Sequence, residues 1–151
     1  MKKILKIVFL SLFVSSFAYA ELKGISKMSL LVEDLSSKAA SCGITVRKIE
    51  TSVKYILSNS RIRIIDKLQV GTPTLYIQAT ISNNSGLCYA NTKLQVYEYI
   101  QHPNSNNWGD FVYYTSSGIH SNSQSHFGRF FFEQLEDRVK RFIVDHNKDN
   151  R

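Results

Sequence analysis

The chain begins with an apolar run and then settles into short periodic segments. Residues 7–17 are almost wholly apolar, behind Lys2, Lys3 and Lys6, and Ala18-Tyr19-Ala20 places small residues at the −3 and −1 positions of a signal-peptidase site. Residues 1–20 therefore predict a cleavable secretory signal peptide. The stretch is interrupted by Ser11, Ser15 and Ser16 and is too short for a spanning helix. Glu21 follows the site where a lipoprotein would carry cysteine, so the bacterial lipoprotein route is not expected. Residues 21–151 are the expected mature chain, with a tail that frays from about residue 147.

Residues 25–35 (ISKMSLLVEDL) read as a first strand, with Leu30, Leu31 and Val32 as its apolar run. A small-residue connection over 36–43 leads to Thr45, a good helix N-cap. Val46, Ile49, Val53, Ile56 and Leu57 then recur every three or four residues, which predicts a helix over 46–59 with one buried face. Strand alternation returns over 61–68 and, past Gly71-Thr72-Pro73, over 74–82. There Leu75, Ile77, Ala79 and Ile81 point one way, and Tyr76, Gln78 and Thr80 the other. Asn83-Asn84-Ser85-Gly86 predicts a hairpin turn into a long strand over 87–101. Cys88, Ala90, Leu94 and Val96 share one face of that strand; Tyr89, Lys93, Gln95, Tyr97 and Tyr99 share the other. Residues 102–110 read as a polar loop holding Trp108, and 111–115 as strand again. Residues 116–125, rich in Ser, Asn and Gly, read as a mobile loop or frayed strand end. The closing helix, about 128–146, gathers Phe131, Phe132, Leu135, Val139, Phe142 and Ile143 on its apolar face. Glu136/Lys140 and Asp137/Arg141 are favourable i,i+4 pairs on its wet side.

The predicted order is β-α-β-β-β-β-α, with no internal repeat and no linker. Antiparallel strands flanked by amphipathic helices predict an α+β two-layer sandwich: a four- to five-stranded, mostly antiparallel sheet with both helices on one face. One domain of this length buries a core of its own.

Charge changes the picture little. Three of the 19 basic residues and none of the 12 acidic ones lie in the leader, which leaves 16 against 12 and a net +4 on the mature chain. That is too mild for a nucleic-acid footprint, and nucleic acid is not an expected partner. The short leader with paired lysines points to a bacterial exported protein, periplasmic in a Gram-negative cell or secreted, with no membrane span after cleavage. Cys42 and Cys88 are an even pair in an exported chain, which predicts a structural disulfide. The loop of 47 residues it closes, counted inclusively from Cys42 to Cys88, corresponds to roughly 4 kcal/mol in the chain-entropy picture. No Cys-x-x-Cys motif suggests redox chemistry.

Leu31-Val32-Glu33-Asp34-Leu35 closing a strand, Cys42-Gly43-Ile44-Thr45 opening a helix, and Leu75-Tyr76-Ile77 before a hairpin resemble small bacterial exported proteins. Their architecture is similar to the N-terminal domain of TolB and related envelope modules with an anticodon-binding-domain-like fold. The resemblance implies an accessory role in envelope assembly or transport, and it carries no catalytic residues.

Candidate chemistry is sparse. His120 and His126, six residues apart around a Ser/Asn-rich segment, have no third ligand nearby, His102 precedes Pro103, no HExxH motif occurs, and all three read as exposed loop histidines. No Gly-x-Ser-x-Gly elbow or glycine-rich phosphate loop occurs. Glu33 and Asp34, adjacent at a strand end, point to opposite faces and do not read as an acid/base pair. No catalytic, metal or cofactor site is expected. The tyrosines are more informative. Tyr76, Tyr89, Tyr97 and Tyr99 all occupy polar-phase positions, with Tyr113 or Tyr114 as a possible addition, and they predict an aromatic surface on the open face of the sheet. Tyrosine also simply suits strands and pairs across them. Arg61, Arg63 and Lys67 predict a basic border or a guarded sheet edge. The expected function is a non-enzymatic envelope accessory module that holds a protein partner on this face or on an edge strand. The alternative is a binder of a small envelope glycan or lipid between helices and sheet.

Overall fold

The computed structural model describes residues 21–151; the expected leader, residues 1–20, lies outside the described residues. The elements run β1 (Lys27–Val32), α1 (Lys38–Ser41), α2 (Val46–Ser58), β2 (Arg63–Ile65), β3 (Thr74–Asn84), β4 (Leu87–Gln101), β5 (Trp108–Ser123) and α3 (Gln124–Asp149). The five strands form one sheet in the order β2-β1-β3-β4-β5, packed against α2 and α3. This is the expected α+β architecture and element order, with a single helical turn, α1, added in the small-residue connection.

The long ladders, β3 with β4 and β4 with β5, are antiparallel. The two short ones are parallel: β1 pairs in parallel with both β2 and β3, so the sheet is mixed. Parallel pairing of β1 and β2 follows from the helical crossover through α2 between them. The α2 helix begins where Thr45 caps it, its side chain accepting from Lys48 N at 3.3 Å. Its periodic face buries Ile49, Val53, Ile56 and Leu57.

Between helices and sheet the core is dense. Phe127, Phe131 and Phe142 of α3, Ile49 and Leu57 of α2, and Met28, Leu75, Ile77, Leu94 and Val96 of the sheet are all essentially inaccessible. Side chains of this kind stabilise the fold by roughly 1.5–3 kcal/mol each on burial. Phe127 and His146 join the buried face of α3, whereas Phe132 and Ile143, expected there, are only partly buried. The predicted disulfide is present: Cys42 at the end of α1 is joined to Cys88 at the start of β4, with the Cα atoms 6.0 Å apart.

Several segments differ from expectation, among them residues 108–110, which belong to β5 and not to the expected 102–110 loop. The strand expected over 61–68 shrinks to Arg63–Ile65, because β1 offers a parallel partner to only those residues. Residues 116–123, expected to be loop or frayed strand, are regular β5 paired with β4 throughout. A long partner that satisfies each backbone group overrides the poor strand propensity of Ser, Asn and Gly. The expected fraying from residue 147 gives way to helix through Asp149. That end is tied to the start of the described chain: Leu22 N donates to Asp149 Oδ2 at 2.9 Å, and Gly24 N donates to Asn150 Oδ1 at 2.7 Å.

Candidate interaction surface

The strand register sorts the tyrosines. Tyr76 on β3 and Tyr97 and Tyr99 on β4 lie on the face of the sheet opposite the helices, where Tyr97 pairs with Thr74 and Val112, and Tyr99 with Asp110. Pairing between β3 and β4 ends at Thr74 and Tyr97. Beyond that point β4 and β5 continue alone, as a two-stranded arm from Glu98 to Phe111. At its root the Tyr76 and Tyr97 rings meet edge to face at 6.1 Å, and further out Tyr99 and Trp108 stack at 5.5 Å with their planes 21° apart. Trp108 pairs with Gln101 and so shares the Tyr99 face. Tyr99 and Trp108 are each about half exposed, at 48% and 50%, and Val112 beside them is exposed as well. Aromatic side chains are enriched at binding surfaces, and aromatic pairs across strands also stabilise the strands that carry them.

Tyr89 does not belong to this group. It sits eight positions from Tyr97 along β4, opposite Ser82 and Ser121, or about 27 Å away at strand rise. Tyr113 and Tyr114, by contrast, are absent from the open face. An irregularity in β5 opposite Val96 and Tyr97 leaves Tyr113 as an extra residue, and both rings turn to the helix side. Tyr114 packs 5.3 Å from Phe142. Tyr113 meets Phe111 at 5.0 Å and donates its hydroxyl to Glu98 Oε2 at 2.6 Å. Burial, then the hydrogen bond to the Glu98 carboxylate, push the Tyr113 hydroxyl up to about 12. Tyr76 is raised as well, by burial first and by the neighbouring Glu33 carboxylate second.

Trp108 is the member of the site that the sequence reading missed. Its neighbours Asn107 and Gly109 suggested a loop, while alternation with Asp110 and Val112 was the signal that could have placed it on a strand face.

The other candidates fall elsewhere. Arg61 and Arg63 lie in and beside β2, the short outer strand, and Lys67 follows it; all three are exposed. Glu33 and Asp34 follow β1 as exposed residues. His102 and His126 are exposed as expected. His120 is not: it is buried on the helix side of β5. There its Nε2 accepts from Arg138 Nη2 at 3.0 Å and stands 3.2 Å from Thr92 Oγ1, while Arg138 Nη1 donates to Thr92 Oγ1 at 2.8 Å. Burial, then the guanidinium, lower its pKa. The correction follows from β5 being strand, because alternation carries position 120 inward. Among the described residues no group of three or more His, Cys, Asp or Glu side chains comes together to hold a metal.

On the helix side, α2 and α3 border an open groove of about 930 Å³ lined by Arg47, Lys48, Tyr55, Arg129 and Phe132, among others. It lies on the outer surface of the helices rather than between helices and sheet.

No known protein family matches this chain, and no curated protein matches its sequence. Among solved structures it is similar to a minor lipoprotein from Acinetobacter baumannii, at 18% identity, with a TM-score of 0.39 over 82% of this chain and 93% of that one. It is likewise similar to a hypothetical protein from Chlamydia trachomatis, at 11% identity, with a TM-score of 0.40 over 78% of this chain and 94% of that one. The likeness to the N-terminal domain of TolB expected from sequence is not confirmed by these two structures. At such distances no residue role transfers, and the surface stands on its own chemistry.

Proposed function

We propose that this chain is a non-enzymatic accessory module of the bacterial cell envelope that binds a protein partner through the aromatic end of its open sheet face. The observation that supports this reading is the exposed Tyr99–Trp108 stack on the projecting arm. It presents large, rigid, amphipathic rings of the type enriched at binding hot spots. The buried disulfide fits an oxidising compartment outside the cytoplasm. The rival reading, a glycan or lipid held between the layers, calls for space that Phe127, Phe131 and Phe142 occupy.

The test is capture of partners by the tagged protein from cross-linked envelope, beside a Tyr99→Ala/Trp108→Ala variant of unchanged melting temperature. One identified protein, retained by the wild type and lost by the variant, supports the proposal. Equal capture by both removes the aromatic face from it. Co-purification of a glycan or lipid with no protein replaces it with the rival.

A further inference from the structure

The two edges of the sheet are built on opposite principles. At one, β2 has only three residues, with Arg61, Arg63 and Lys67 in and around it, the short charged strand that discourages pairing. At the other, β5 is 16 residues long and has β4 on one side only. Past the irregularity at Tyr113, residues 115–123 pair with β4 without a break and contain no charged side chain and no proline. Ile119, at their centre, is 81% exposed, the highest value among the exposed large apolar side chains. An edge with this profile is a template for another strand.

We propose that the strand it takes is β5 of a second copy of this chain, antiparallel about a two-fold axis at Ile119, so that two sheets become one. A two-fold interface needs a surface that matches itself, and this segment does. The irregularity at Tyr113 bounds it on one side, and the start of α3 at Gln124 on the other. The two-fold register that uses all nine residues is therefore the one centred on Ile119. On the open face that register sets Ile119 against its counterpart and Ser117 against Ser121. On the helix face it sets Gly118 against His120 and Ser116 against Asn122. Every pair is neutral, and all but the central one is small or hydrogen-bonding. The nearest cation, the partly buried Arg138, lies over Gly118 on the helix face, where it is bonded to Thr92 and His120 of its own chain. Pairing would bury Ile119, the most exposed large apolar side chain among the described residues.

The test is sedimentation of the purified protein from micromolar to millimolar concentration. The expected result is a concentration-dependent dimer. Ile119→Lys, which would bring two ammonium groups together on the axis, should raise the dimer dissociation constant about tenfold or more with its melting temperature unchanged. As a second reading, Ile119→Cys should lock the dimer by a disulfide on oxidation, since directly opposed strand residues have Cα atoms at bridging distance; Ser105→Cys, at the tip of the arm, should not. A wild type that remains monomeric at millimolar concentration overturns the proposal and leaves the edge to a strand from another protein. A dimer unaffected by Ile119→Lys and not cross-linked by Ile119→Cys overturns it equally. Neither outcome depends on the aromatic face.

Discussion

A Cβ on Gly118 would occupy the place of Arg138 Nη2. Only a glycine on β5 lets that guanidinium lie down on the β4–β5 seam, where it donates to the Thr92 carbonyl and hydroxyl and to His120. The charge is satisfied there by neutral acceptors, and the three residues bolt α3 to the sheet.

Gly118→Ala should therefore cost about 1–3 kcal/mol in urea denaturation, chiefly by expelling Arg138 from those hydrogen bonds. The same substitution in an Arg138→Met background should cost nothing or stabilise slightly, since glycine is a poor strand residue. The coupling in the double-mutant cycle is the diagnostic quantity. An equal cost in both backgrounds would show that the glycine serves the backbone and not the arginine.

His120 makes this bolt sensitive to acid. Arg138 can only donate, so His120 Nε2 must accept, and an imidazolium cannot. Burial, and then the guanidinium, hold the imidazole below its ordinary 6.5. The charged or polar groups facing it are Arg138, Thr92 and the Gly118 carbonyl, and no carboxylate among the described residues bonds to it. As pH falls through 6.5 the unfolded chain takes up a proton that the folded chain refuses. The site's contribution is then complete above 6.5, declines below it, and levels off once pH has passed the depressed folded value. His120→Gln keeps an acceptor and removes the titration. Relative to wild type, the variant should gain stability on moving from about pH 7.5 to about pH 5, and parallel pH profiles would sink the argument.

This cluster also shows where sequence reading stopped. The aliphatic alternation of β3 and β4 and the spacing of α2 carried their structure openly, because each buries a continuous apolar face. Residues 116–123 did not, because Ser, Asn and Gly announce turns, and only the length of β4 opposite them makes a strand. Read as a mobile loop or frayed strand end, that segment makes His120 an exposed loop residue. A trace was present all the same. Thr92 interrupts the apolar phase Cys88, Ala90, Leu94, Val96, and a polar position on a core face implies a buried partner. Arg138, between Leu135 and Val139, was the cation to pair with it. The aromatic face was half legible in the same way: Tyr76, Tyr97 and Tyr99 follow from alternation, while Trp108 depends on where β5 begins.

The last residues of the chain are structural. Asn150 accepts from Gly24 N, and its amide donates to the carbonyls of Leu22 and His146 at 3.0 and 2.8 Å. Buried His146 donates Nε2–H to the Ile25 carbonyl at 2.6 Å. Together they clamp the segment before β1. Asn150→Ala should cost about 1–2 kcal/mol and accelerate amide exchange at Gly24, whereas Arg151→Ala should do neither. Exchange at Gly24 that is fast in the wild type already would show that this end is loose.

The disulfide holds the opposite end of the molecule, where α1, the β3–β4 turn and the start of α3 converge. Gln124 N donates to the Gly86 carbonyl at 2.9 Å, and the Gln124 side chain donates to the Ser41 carbonyl at 2.9 Å. Gly128 lets α3 approach so closely that a Cβ there would stand 3.3 Å from the Cys42 carbonyl oxygen. These contacts do not require the sulfur bond, so Cys42→Ala/Cys88→Ala should still fold. What it loses is the restriction on the unfolded chain, about 2–4 kcal/mol, together with a small cavity at two fully buried positions. Urea denaturation should show a lower midpoint, and the wild type under reductant should move toward the same value. A midpoint that ignores both reductant and substitution would mean that the junction is held by α3 packing alone, and that the cysteines add nothing to stability.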